Sequence, residues 1–210
     1  MSTSSNADNC TLTRAGRRRL QTRRDLLAAA KTVFAARGYH QAKISEIAAA
    51  ADVGVGTFYL HYDGKDALFV ELVEDTAHRL KKRVDAAKAT ATDPLERARV
   101  SCEILFRFAQ ENRETFRILF GEGAFNSAIT ASQHVFLSDV AENIAAGVRA
   151  GAFAPYPITL IAHATVGLLT QVVSWWIGQD EVSLEEAVEA TNRFIAQGLW
   201  ARDAMDARRS

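Results

Sequence analysis

Val55, Thr57 and Leu60 bring to one short stretch the side chains that suit the edges of DNA bases. A threonine hydroxyl hydrogen-bonds either a base or a phosphate, and valine and leucine can meet thymine methyl groups. The three lie in the run from Ile44 to Lys65, ISEIAAAADVGVGTFYLHYDGK. Ile44, Ile47, Ala48 and Ala51 recur at helical spacing and mark one buried face. Asp52-Val53-Gly54 interrupts that helix, and a second short one follows with Thr57, Tyr59, Leu60 and His61. Two short helices around a three- to four-residue turn make a helix-turn-helix, whose second helix can enter the major groove. The pattern points to nucleic-acid recognition.

The elements that position this run are all helical. Only three prolines, many alanines and no alternating Val/Ile/Thr blocks predict an all-α fold, and a 48% apolar fraction is ample for a core. A chain of 210 residues fits one ordinary domain or two small ones. The periodicity predicts a first helix from about Leu20 to Arg37, closed by Gly38 in the left-handed conformation. Short helices at about 44–51 and 55–61 follow, then a long one from Lys65 to Lys88 that bridges two domains. Asp93 as cap and Pro94 in the first turn open the next helix. Others are expected at about 114–121, 132–150, 156–178 and 184–203, the last capped by Ser183 with Glu186.

Charge is unevenly spread. Residues 1–65 hold ten Lys/Arg against five Asp/Glu, and the remainder reverses that excess to a net charge of zero. A basic N-terminal third suits a chain that offers one end to phosphates. Residues 1–19 read as a disordered basic tail, and Arg17, Arg18, Arg19 and Arg23 as an arm along DNA. Cys10 and Cys102 match no metal or redox spacing, which fits thiols in a reducing cytosol, with a Cys102 redox sensor as the rival. No secretory signal opens the chain, so a cytoplasmic location is expected. Residues 158–177 carry no charge over a membrane-spanning length, but their polar side chains and missing basic flanks favour a helix buried on nearly every side, with no membrane partner.

From Arg23 to Leu72 the chain resembles the TetR family of transcriptional regulators. The segments DLLAAAKTVFAARGY, ISEIA, GTFYLHY and GKDALF carry the likeness. The resemblance implies a homodimer, with a helix-turn-helix DNA-binding domain at 20–65 and a helical ligand-binding and dimerisation domain at 66–210. It further implies that Tyr59, His61 and Lys65 touch the DNA backbone, where hydroxyl, imidazole and ammonium suit phosphate oxygens. Lys43, in place of the family's usual cap threonine, and Ser45 are expected to join them. Asp52 stands where the family prefers a turn glycine, and Gly54 where it prefers a cap serine. A palindromic double-stranded operator, a dimer gripping two half-sites and repression are the family's expectation.

Beyond Leu72 the expectations concern packing. His163, Gly167, Thr170, Ser174 and Gly178 form one stripe at helical spacing, which suits a helix of the same subunit or its copy across a two-fold axis; the family resemblance favours the copy and so a dimer face, together with Phe194. Phe106, Phe116, Phe120, Phe136 and Trp175 are candidates to line an apolar pocket, with His163 or Gln171 as polar anchor. An effector there would be a small apolar or aromatic molecule. No nucleophile motif, metal-ligand spacing or Gly-rich phosphate loop is present, so neither an enzyme nor a cofactor is expected. The rival reading is a helical ligand-binding or scaffold protein that leaves DNA alone.

Overall fold

The computed structural model describes residues 13–120 and 128–199, with the backbone alone for 128–133. Among these residues stand nine α-helices and no strand: α1 Arg14–Gln41, α2 Ile44–Ala50, α3 Val55–Tyr59, α4 Lys65–Lys88, α5 Pro94–Glu111, α6 Arg113–Phe120, α7 Ala128–Arg149, α8 Ile158–Trp176 and α9 Leu184–Leu199. The all-α expectation holds. Residues 1–12 of the expected tail, Cys10, and the extension of the last helix to 203 lie outside the described residues.

Helix α1 starts earlier than its periodicity suggested. Thr13 accepts a hydrogen bond from the Gly16 amide at 3.1 Å, a cap that the tail reading overlooked. Residues 14–19 are therefore helical and not disordered. At the other end Gly38 takes φ 74° and ψ 159°, which kinks the helix where the sequence placed its stop. Residues 39–41 form one further turn.

Two cores lie along α4. Leu26, Phe34, Ile47, Phe58, Leu68 and Leu72 belong to the first, which closes α1–α3 onto the first half of α4. Ile118 and Leu119 of α6 also join it. Leu80 and Val84, from the second half of α4, pack in the other core with Cys102, Phe106, Phe116 and Trp176. Burial pushes the Cys102 thiol up to about 12, which leaves it without the thiolate a redox sensor needs.

Capping follows chemistry that the sequence spelled out. Asp93 accepts from the amides of Leu95 and Glu96 at 2.9 Å each, and Ser183 and Glu186 exchange hydrogen bonds across the first turn of α9. Arg113 reaches the carbonyls of Ile177 and Gln179, at 3.1 and 2.9 Å, and pairs with Asp180 at 2.6 Å. It thereby satisfies the orphan acceptors where α8 ends and ties α6 to that end.

Helix α8 corrects another expectation. It is not buried on nearly every side: one face is open. Leu160, His163, Gly167, Gln171 and Trp175 stand on that face, with Trp175 53% exposed. Ala162, Val166, Val173 and Trp176 fill the opposite one.

Candidate nucleic-acid interface and effector cavity

The helix-turn-helix forms as the sequence indicated. Ile47 and Ala48 of α2 and Phe58 of α3 are fully buried, which fixes the angle between the two helices and turns the rest of α3 outward. Asp52 closes the turn at φ 53°, the left-handed geometry that glycine would adopt without strain. Lys43 caps α2 through its backbone, and Glu46 returns a carboxylate to the Lys43 amide at 3.1 Å. An ammonium has no lone pair to accept the reciprocal bond, so half of a capping box stands here. Gly54 opens α3 with no side-chain cap.

Val55, Tyr59 and Leu60 are exposed, Leu60 by 74%, and Thr57 is half-buried beside them. Three large apolar side chains left in water on so short a helix mark a surface built for contact. Lys43 and Ser45 are exposed at the start of α2. Tyr62, by contrast, is buried against Phe58, with ring centres 5.7 Å apart.

Two of the expected phosphate contacts have other partners. The Lys65 ammonium hydrogen-bonds the carbonyls of Tyr39, His40 and Ala42 at 2.7, 3.1 and 3.2 Å, and so is spent on the end of α1. Arg23 pairs with Glu71 of α4 at 2.6 Å and lies over the Tyr62 ring at 5.3 Å, which makes it a brace between helices and not part of an arm. Arg17, Arg18 and Arg19 ride on the first turns of α1, exposed on a helix where a flexible arm was expected. His61 is half-buried. Desolvation, then the nearby charges of Arg19 and Arg23, hold its imidazole below the ordinary histidine range.

The apolar pocket exists, with a different lining. A cavity of about 150 Å³ lies between α4, α5, α6, α7 and α8. Phe116, Phe120 and Phe136 line it as expected, with Leu80, Val166 and Thr170. Phe106 does not: it is wholly buried against Trp176, with ring centres 5.2 Å apart. His163, Gln171 and Trp175 face outward, and His163 Nδ1 spends its hydrogen bond on Thr159 of its own helix at 2.8 Å. Thr170, expected on the dimer stripe, turns into the cavity, and Ser174 is half-buried. Polar groups missed in the sequence are Lys88, Ser101 and Asp139 at the cavity wall. Among the described residues no cluster of His, Cys, Asp and Glu is suited to a metal ion.

On the open face of α8 and α9, His163, Gly167 and Gly178 stand as the stripe required, and Phe194 is 65% exposed. Leu160 and Trp175 of α8 are further large apolar side chains left exposed.

Comparison with known proteins agrees with this architecture. Residues 26–72 match the family described as bacterial regulatory proteins, tetR family, and residues 91–199 match the tetracyclin repressor-like C-terminal domain. The HTH-type transcriptional activator FasR of Mycolicibacterium smegmatis is 28% identical over 182 residues, 85% of this chain and 83% of its own. The fatty acid degradation regulator FadR of Bacillus halodurans has the same fold, with a TM-score of 0.74 at 24% identity, over 84% of this chain and 98% of that one. FadR of Bacillus subtilis, solved in complex with stearoyl-CoA, gives 0.75 at 19% identity, over 83% and 98%. The exposed recognition helix, the helical C-terminal fold and a match over more than half of the sequence favour this reading over the DNA-independent alternative: the chain belongs to the TetR family of bacterial DNA-binding transcriptional regulators.

Proposed function

We propose that this regulator is a cytoplasmic homodimer that binds a palindromic operator and leaves it when an aliphatic effector enters the sensor cavity. One observation carries the reading. Helix α4 gives Leu68, Phe69, Leu72 and Val73 to the core under the reading head, and Val73, Leu80 and Val84 to the wall of the cavity. A ligand that moves α4 moves the reading head.

Residues 20–65 would form the head, with Val55, Thr57 and Leu60 on base edges and Lys43, Ser45, Tyr59 and His61 on phosphates. Arg17, Arg18 and Arg19 would follow the backbone further along. Two subunits would meet through α8 and α9, with Leu160, Gly167, Trp175 and Phe194 removed from water by their copies. That pairing would set the recognition helices about 34–36 Å apart, one turn of duplex.

The effector class is supported by the cavity and by two of the similar proteins. One is a fatty acid degradation regulator and another holds stearoyl-CoA. At about 150 Å³ the cavity has the size of an engineered void that takes up benzene. A longer chain enters only if α6, α7 and α8 part, so it binds the parted arrangement better and shifts the dimer toward it. By linkage, DNA weakens effector binding by the same factor. Repression is the sense proposed, because release of DNA is what the wedge produces.

Selection of bound duplexes from a random pool, followed by anisotropy titrations with and without decanoyl-CoA, tests the reading. A palindrome with half-sites one turn apart, released by the thioester, supports it. An operator unaffected by any chain-bearing molecule would overturn the effector half. Gly167→Glu, placed in open space on the outer face, should convert the dimer to monomer in sedimentation. An unchanged profile would move the interface elsewhere.

A further inference from the structure

The apolar cavity does not end in apolar residues. Lys88 of α4 and Asp139 of α7 line it, and the same two residues line an adjoining groove of about 460 Å³. That groove is walled by charge: Lys81, Lys88, Arg97 and Arg149 against Asp85, Asp139 and Glu142. Lys88 and Asp139 therefore stand at the junction of an oily compartment and a charged one.

Their pairing is incomplete. Asp139 sits 2.7 Å from Lys81 but 4.0 Å from Lys88, and Lys81 also holds Asp85 at 2.7 Å. Lys88 is the more enclosed of the two lysines, yet it stands 4.0 Å from the Asp139 oxygen that Lys81 already holds at 2.7 Å. Desolvation, joined by the charges of Lys81 and Arg97, holds its ammonium below the ordinary lysine range. A cation removed from water with a poor counterion favours a second anion. Beside it, Asn143 donates from Nδ2 to the Pro94 carbonyl at 2.9 Å, while its buried Oδ1 has no partner among the described residues. A hydrogen-bond donor on a ligand would satisfy that oxygen.

We propose that this junction is a headgroup site, in which Lys88 anchors an anionic group on the aliphatic effector and Asp139 is the internal counterion with which that group competes. The proposal rests on the effector reading above and deepens it: the ligand is an anionic amphiphile, chain in the cavity and carboxylate or phosphate in the groove. It also gives the ligand a second hold on α4. Lys81–Asp139 and Lys88–Asp139 both tie α7 to the half of α4 that leads away from the reading head. An anion that takes Lys88 weakens that tie as the chain parts the helices.

The test uses the full-length chain, stripped of bound lipid, and four probes: decanoyl-CoA, decanoate, methyl decanoate and free coenzyme A. Affinities come from calorimetry and operator release from anisotropy. The expected result is that an anionic chain-bearing probe binds about tenfold more tightly than methyl decanoate, a difference of one charge-assisted contact. Lys88→Met should erase that preference by bringing the anionic probe down to the affinity of methyl decanoate, and an unchanged circular dichroism melt reports that the variant is folded. Asp139→Asn should raise affinity for the anionic probe several-fold and weaken operator binding in the absence of ligand. Preference for decanoate over decanoyl-CoA would identify a carboxylate as the anion, and the reverse a phosphate; either supports the site. If Lys88→Met keeps the preference for the anion, the headgroup site is overturned and the cavity reading stands. If methyl decanoate binds as tightly as the anionic probes, the site is likewise overturned. If no chain-bearing probe binds, the effector reading falls and takes the site with it.

Discussion

The Lys65 ammonium lies 2.7 Å from the carbonyl oxygen of Tyr39 and 4.7 Å from the centre of the Tyr39 ring. With the carbonyls of His40 and Ala42 it closes the C-terminal turn of α1 from the first residue of α4, and the Tyr39 hydroxyl returns the contact by donating to Asp66. The consequence is architectural. Lys65→Met should lower stability by about 1–3 kcal/mol, the range for losing hydrogen bonds to a charged group. Operator affinity measured on the folded fraction should change little. A variant of normal stability that no longer binds DNA would return Lys65 to the phosphates.

Asp52 at φ 53° holds the turn of the helix-turn-helix in a conformation that costs most side chains energy. Asp52→Gly should therefore stabilise the domain, by up to about 1 kcal/mol once the greater freedom of glycine in the unfolded chain is counted. Urea unfolding followed by circular dichroism measures it. A loss of stability would mean that the Asp52 side chain makes a compensating contact.

The outward face of α3 carries the strongest prediction for DNA. Thr57→Ala combined with Tyr59→Ala removes two polar groups from a helix whose anchor, Phe58, stays buried. Operator affinity should fall at least about thirtyfold, at roughly 1–3 kcal/mol per DNA contact, with the dimer and melting temperature intact. The slope of log affinity against log salt should stay nearly unchanged, because neither hydroxyl neutralises a phosphate. Unchanged affinity would remove α3 from the groove.

His61 sets a pH dependence whose sign follows from its surroundings. Burial and the cations Arg19 and Arg23 favour the neutral ring, so its folded pKa lies below the ordinary 6.5. The unfolded chain then binds more protons in that interval, and stability falls as pH drops through and below about 6.5. Above it the contribution is fully present. His61→Asn should flatten this slope in melts compared between pH 8 and pH 5.5. A steeper slope in the variant would reverse the assignment of the cause.

Local chemistry was legible in the sequence wherever a signal and its partner lay within one turn. Asp93 with Pro94, Ser183 with Glu186 and the kink at Gly38 all stand as their neighbours indicated. The reading failed where partners lie far apart in the chain. Lys65 meets carbonyls 23 to 26 residues earlier, and Arg23 meets Glu71, 48 residues on. Neither pairing has a periodicity to reveal it. Helix α8 failed for another reason: with apolar residues around most of its circumference, no polar phase distinguished the inward Thr170 from the outward Trp175. Lys88 and Asp139, 51 residues apart in the chain, meet only because α4 and α7 lie side by side.

Helix α4 is a member of both cores, and that sharing has a bearing on how the molecule comes apart. Its 24 residues make a rod of about 36 Å whose two halves are held by different sets of side chains. Loss of either core frees half of the rod, and a helix with a frayed half gives up backbone bonds that the other half leans on. The head and the sensor are thus bound into one melting unit, and a chain severed between them would leave each with an unfinished wall.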